Sequence, residues 1–170
     1  MQEPGQSDEM RNSDEAGASW TPPEGSWASS AAIRKTMLGS RSRDTRPELA
    51  LRSAVHRLGL RYRVSAAPIP GLRRTADLLF RQGRVAVFVD GCFFHGCPSH
   101  YSPPKTNTTY WAAKVARNQD RDADTDARLS EAGWEVVRIW QHEDPDEAAA
   151  RVAAVVRRRR TEYPRKPGGI

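Results

Sequence analysis

Val85-Ala86-Val87-Phe88-Val89-Asp90-Gly91-Cys92-Phe93-Phe94-His95-Gly96-Cys97-Pro98-Ser99-His100 is an apolar run that breaks into carboxylate, thiol and imidazole. The run is β-branched and aromatic and reads as a buried strand, with the residues after it forming a loop at the strand's end. That loop holds both cysteines of the chain and two of its four histidines. Asp90, Cys92, His95, Cys97 and His100 are thus delivered together to the rim of a sheet.

The flanking elements follow from the same reading. Gln82-Gly83 turns the chain back from Ala76-Asp77-Leu78-Leu79-Phe80, so these two strands predict a hairpin. Tyr62-Arg63-Val64 reads as another short strand and Pro68 to Gly71 as a turn. Asp44-Thr45-Arg46-Pro47-Glu48 offers an N-cap and a first-turn proline, after which Leu49, Leu51, Ala54, Val55 and Leu58 recur at helical spacing until Gly59. A shorter helix is expected between Trp27 and Leu38. Downstream, a long polar helix runs from about Asn107 to Ala132, with Tyr110, Trp111, Val115 and Leu129 as its apolar stripe and Gly133 closing it. Trp134 to Trp140 alternates like a strand, and Asp144 to Arg160 repeats Ala and Val at helical spacing before four arginines that suit the helix dipole. The order predicts an α/β fold, a three-layer sandwich around a small mixed sheet.

A chain of 170 residues with 38% hydrophobic composition supports one domain with its own core. Residues 1–26 carry six acids against Arg11 alone, a net of −5, so a whole-chain charge of +6 leaves +11 on the rest. The acidic segment has too few apolar side chains to offset chain entropy and is expected to be disordered, with the domain spanning 27–160 and a flexible tail at 161–170. Between Ile33 and Arg74 eleven Lys or Arg face only Asp44 and Glu48. Such clustering reads as a nucleic-acid footprint, because cations release counterions from a phosphate backbone; an arginine-rich solvated surface is the bland alternative. No apolar stretch approaches the roughly 18 residues of a membrane span and no secretory signal opens the chain, so a cytoplasmic protein is expected. In that reducing compartment the two cysteines read as metal ligands ahead of a disulfide, with buried free thiols as the alternative.

Asp77 interrupts an apolar strand, where an unpaired carboxylate is costly. It can converge with Asp90 at the sheet's rim to hold Mg²⁺, or pair with Arg73, Arg74 or Arg84. His95 can serve as general base or acid beside a polarised phosphate, and Glu48 could orient it, although a glutamate in the first turn also suits the helix dipole. Cys92, Cys97 and His100 supply three ligands of a tetrahedral zinc site, with His142 a fourth if the strand ending at Trp140 neighbours the one ending at Asp90; His95 is the rival ligand. Phe93, Phe94 and Trp111 adjoin the polar loop and can stack on bases as well as fill a core.

Taken with Met37, Arg43 to Glu48, Pro70-Gly71-Leu72-Arg73-Arg74, Ala76-Asp77, Lys105-Thr106-Asn107, Tyr110-Trp111, Arg117-Asn118 and Arg121-Asp122, the string Phe88 to His100 resembles the signature of the very-short-patch mismatch repair endonucleases. The resemblance implies a restriction-endonuclease-like fold of the PD-(D/E)XK type. It also implies an enzyme that nicks duplex DNA on the 5′ side of the thymine in a T:G mismatch, the lesion left by 5-methylcytosine deamination. By position, Asp77 and the backbone carbonyl of Val89 would hold catalytic Mg²⁺, His95 would be the catalytic histidine and Glu48 its partner. Asp90 falls where relatives carry histidine or an acid, leaving both metal ligand and proton carrier open to it. Cys92, Cys97, His100 and His142 match structural zinc positions. Phe93, Phe94 and Trp111 match an aromatic wedge pushed into the DNA, with Phe94 in place of the commoner tryptophan, and Met37 a minor-groove contact. Lys105, Arg73 and Arg74 are candidate DNA contacts. A monomer is expected, acting on an asymmetric lesion and handing its nick to mismatch-repair helper proteins. A zinc-stabilised DNA-binding module without activity, and a restriction-type nuclease with another target, are the competing readings.

Overall fold

The computed structural model describes residues 43–164, together with Ala31 and Lys35, both helical. The chain divides into two compact units, 1–40 and 41–170, and the second is described here. Met37, the acidic segment 1–26 and residues 165–170 lie outside the described residues.

Among the described residues, three helices and four strands build the unit: α1 (Arg46–Arg57), β1 (Arg63–Ala66), β2 (Ala76–Phe80), β3 (Val85–Asp90), α2 (Thr108–Glu131), β4 (Glu135–Trp140) and α3 (Pro145–Glu162). The sheet order is β1-β2-β3-β4, antiparallel across the first three strands and parallel between β3 and β4. It is the small mixed sheet that the sequence predicts. A parallel pair needs a long crossover, and α2 supplies it.

Helices cover both faces. Leu51, Ala54 and Val55 of α1 and Ala148, Ala149, Val152, Ala153 and Val156 of α3 pack on Leu78, Phe80, Val85, Val87, Val137 and Ile139. On the other face Leu129 of α2 meets Leu79 and Ala86, with Phe88, Trp134 and Val136 alongside. The alternation of β3 thus feeds two cores, and the layers are helix, sheet, helix.

Three details depart from the sequence reading. Leu49 and Leu58, expected on the buried stripe of α1, are 50% and 41% exposed, because only the narrow face Leu51-Ala54-Val55 meets the sheet. Strand β1 begins at Arg63, not Tyr62, whose hydroxyl instead donates to the Arg52 carbonyl at 2.8 Å. Tyr110 and Trp111 are only half-buried and join the aromatic group described below, leaving Val115, Thr125 and Leu129 as the buried positions of α2.

Helix ends follow local chemistry. Asp144 caps α3 by accepting from the Asp146 and Glu147 N–H groups at 2.9 and 3.0 Å, with Pro145 in the first turn. Gly133 adopts φ +78 just past α2, the left-handed turn in which glycine costs least. Among the described residues no helix is long and apolar enough to cross a membrane.

Candidate active site and metal centre

Strands β3 and β4 run parallel in a register that pairs Asp90 with Trp140. Both carboxyl ends therefore open on the same rim, where α/β sheets usually bind ligands. Two residues beyond each partner stand Cys92 and His142, and their Sγ and Nδ1 atoms lie 3.1 Å apart. Cys97 Sγ is 3.8 Å from Nδ1 of both His100 and His142. Each of the four residues offers one ligand atom, all within 4.8 Å of one another. Bonds of about 2.0–2.3 Å to a tetrahedral ion leave ligand atoms roughly 3.3–3.8 Å apart, so the set fits zinc in size and in donor type. Burial, then the neighbouring Cys97, pushes the Cys92 thiol up; this opposes a bare thiolate and favours one neutralised by a metal. His95 is outside this group.

His95 belongs to a second cluster with Asp90 and Asp122. Its Nδ1 lies 2.5 Å from Asp122 Oδ2 and 3.6 Å from Asp90 Oδ1. Two carboxylates facing one ring nitrogen favour a proton on Nδ1, and in the neutral imidazole Nε2 is then the acceptor. Burial would raise the Asp122 carboxyl, but the His95 hydrogen bond and the Arg138 charge prevail and hold it below the usual carboxylate range. Asp90 is 5% exposed and both its oxygens accept from Arg138 Nη1, at 3.0 and 2.9 Å.

Asp77 sits where the β2–β3 ladder gives out. The pairs run Phe80↔Val85, Leu79↔Ala86 and Leu78↔Val87, and on the other side β1 skips Ser65, whose φ is +47. Asp77 Oδ2 accepts from the Val89 N–H at 2.7 Å, so Val89 meets Asp77 through its amide hydrogen. None of the arginines Arg73, Arg74 and Arg84 bonds to it: Arg74 is paired with Asp124, and Arg84 reaches the Ala132 carbonyl at 3.4 Å. Its carboxyl is pushed up from 3.8 to about 6, first by burial, with Glu48 and Asp90 adding negative charge against the Val89 hydrogen bond and Arg52. Carboxylates gathered this way, with one lacking a cationic partner, are a donor set that a divalent ion would relieve.

Glu48 does not touch His95. It folds back on its own helix start, accepting from the Asp44 N–H and the Thr45 hydroxyl, both at 2.9 Å, and from Arg52 Nη2 at 3.1 Å. The partner of His95 is Asp122, which the sequence reading passed over. Its signal was spacing: Trp111, Lys114, Asn118 and Asp122 form one helical stripe of α2 facing the loop. Arg138 was also missed, though a lone arginine between the buried Val137 and Ile139 has to find carboxylates. It engages Asp126 as well, with Nε and Nη2 at 3.0 and 2.9 Å.

The same loop carries the aromatic residues. Phe93 stands edge-on to Phe94 and Trp111, with centroids 5.3 and 5.1 Å apart, and Phe94 is 43% exposed. Lys114 Nζ lies 5.3 Å from the Trp111 centroid and 5.8 Å from that of Phe94. Asn118 Nδ2 donates to the Phe94 carbonyl at 2.7 Å and Gln119 Nε2 to the His95 carbonyl at 3.2 Å. Gly96, at φ +65, passes so close to α2 that a Cβ there would stand 2.7 Å from Gln119 Nε2 and 2.9 Å from Val115 Cγ1. Lys105 and Arg73 are exposed.

Residues 29–100 match the family model described as DNA mismatch endonuclease Vsr. The chain is 43% identical over 124 residues to the type II nicking enzyme V.NaeI of Lentzea aerocolonigenes, covering 72% of this chain and 75% of the relative. It is 40% identical over 114 residues to the type II nicking enzyme V.XorIIP of Xanthomonas oryzae pv. oryzae, covering 66% and 82%. It is 34% identical over 112 residues to the DNA mismatch endonuclease Vsr of Escherichia coli, covering 65% and 70%. The chain therefore belongs to the Vsr family of DNA mismatch endonucleases, whose restriction-endonuclease-like fold its α/β sandwich adopts.

Proposed function

We propose that this chain is a Mg²⁺-dependent endonuclease that nicks duplex DNA 5′ to the thymine of a T:G mismatch. One observation carries the reading: Phe94 and His95 are consecutive, so the exposed ring suited to entering a base stack is covalently next to the imidazole suited to moving a proton. Seating the ring fixes where the imidazole stands relative to the backbone. A mismatch is already weakly stacked, so opening it costs less than opening a matched pair.

The residues divide the work. Asp77, with the Val89 carbonyl, would hold Mg²⁺, which when bound stabilises charge developing on the scissile phosphate. His95 takes a proton from the attacking water at Nε2, its ring held by Asp122 through Nδ1. Cys92, Cys97, His100 and His142 would hold zinc as a structural clamp on the loop between the two strands. Phe93, Phe94 and Trp111 form the wedge; Lys105, Arg73 and Arg74 lie ready for phosphates, with Asp124 to be exchanged for phosphate at Arg74. The enzyme acts as a monomer on an asymmetric lesion and passes its nick to helper proteins.

Replacing Asp77 with Asn tests the enzymatic reading. The variant is expected to bind a T:G duplex as the parent does and to lose nicking in Mg²⁺. Unchanged nicking would refute the assignment, and a parent that binds tightly without cutting would leave a binding module.

A further inference from the structure

Three carboxylates crowd the rim near β2 and β3, and they are not equivalent. Glu48 is paired with Arg52 at 3.1 Å and Asp90 with Arg138 at 2.9 Å. Asp77 has no ion pair among the described residues; its one direct bond is to the Val89 N–H. Arg52 is shared with Asp44, and Arg138 with Asp122 and Asp126, so neither arginine is left over for Asp77, the carboxylate still in need of a cation.

Arg138 does more than neutralise. Its Nη1 holds both Asp90 oxygens at 3.0 and 2.9 Å, and its Nη2 lies 3.3 Å from the Asp122 carbonyl oxygen and 3.5 Å from Asp122 Oδ1. Asp126 occupies the remaining edge, and Phe88 lies beneath the guanidinium at 5.1 Å. Asp90 and Asp122 are the two acids that bracket His95 Nδ1. One planar fork therefore sets both walls of the histidine's slot, a task for which arginine's fixed geometry suits it better than a point charge. A divalent ion brought onto Asp90 would stand beside this half-buried guanidinium, and the like charges would oppose it.

We propose that Arg138 is a positioning residue for the nicking reaction: it holds Asp90 and Asp122 as the bracket that orients His95, and in doing so keeps Asp90 out of the Mg²⁺ shell. Asp90 is then a positioning residue as well, and Asp77 is the single side-chain carboxylate on the metal. The assignment rests on the nuclease reading given above.

The test measures Mn²⁺ binding to the zinc-loaded full chain by electron paramagnetic resonance, the His95 tautomer by imidazole ¹⁵N NMR, and single-turnover nicking of a T:G duplex. Asp77→Asn is expected to weaken Mn²⁺ binding by about 10-fold or more, while Asp90→Asn leaves it within about 2-fold of the parent. Asp90→Asn and Arg138→Gln are each expected to slow nicking by about 10–100-fold at unchanged duplex affinity. Arg138→Gln also loses the uniform Nδ1–H tautomer of His95, and Arg138→Lys restores it only in part. Should Arg138→Gln fail to fold, Asp90→Asn, which keeps an acceptor for Arg138, carries the test. Mn²⁺ binding weakened as much by Asp90→Asn as by Asp77→Asn would make Asp90 a metal ligand and overturn the proposal. So would a His95 tautomer indifferent to Arg138. Equal cutting of T:G and C:G duplexes by the parent would sink the mismatch reading alone, since the metal and tautomer readouts need no mismatch.

Discussion

His95 Nδ1 stands 2.5 Å from Asp122 Oδ2, a contact that ties the loop after β3 to the middle of α2. In the proposed reaction it reserves Nε2 of the neutral ring for the attacking water. Replacing Asp122 with Asn is expected to slow single-turnover nicking by about 10–100-fold while changing duplex affinity less than about 2-fold. Full activity in this variant would show that the ring is oriented by something else.

Asp77 links the site to stability. Its folded-state carboxyl, pushed up to about 6 mainly by burial, lies above the 3.8 of the unfolded chain. The fold therefore binds its proton more tightly than the unfolded chain, and this stabilisation is full below about pH 4 and lost as pH rises through about 6. In metal-free protein at neutral pH, Asp77→Asn is expected to be more stable than the parent by roughly 1–3 kcal/mol, the discount from the full shift reflecting partial solvent contact. Urea denaturation at several pH values measures this; the gain should vanish near pH 4, and a gain that persists there would point to another cause.

Cys92 and His142 meet at 3.1 Å only because β3 and β4 share a register. Removing one of four ligands from a closed zinc site sharply weakens the metal. His142→Ala is expected to purify with far less zinc than the parent and to melt at lower temperature, and chelation of the parent should mimic it. Elemental analysis finding full zinc in the variant would remove His142 from the ligand set.

Phe94 is the exposed ring of the proposed wedge. Base–aromatic stacking is worth about 1–3 kcal/mol, so Phe94→Ala is expected to weaken T:G duplex binding by roughly 5–100-fold, and Phe94→Trp, with its larger face, to tighten it. Fluorescence anisotropy on labelled duplexes reads both; an unchanged dissociation constant for Phe94→Ala would place the ring outside the DNA.

The legible parts of this chain are those in which local pattern and tertiary environment agree. The run Val85 to Asp90, buried on both faces, and the Gln82-Gly83 turn before it, specify the hairpin because alternation and turn chemistry point the same way. The convergence of Cys92, Cys97, His100 and His142 was readable only on condition that β4 lie beside β3, which the parallel pairing meets. Glu48 shows why roles are harder. A glutamate in the first turn with an arginine four residues on has a complete local solution, and the fold uses it, leaving His95 to a partner from elsewhere. Asp122 was hidden for the opposite reason. It lies among Asp120, Asp124 and Asp126 on a polar helix, and only the path of the loop across α2, pressed close at Gly96, singles one of them out.

The central claim is mismatch-directed nicking, and strand mapping tests it most directly. A duplex with one T:G pair, labelled at either 5′ end, is incubated with the zinc-loaded protein and Mg²⁺, beside the same duplex with C:G or T:A at that site. The account expects a single break in the thymine strand, immediately 5′ to the mispaired base, with the matched duplexes intact. Equal cutting of matched and mismatched duplexes, or a break in the guanine strand, would contradict it.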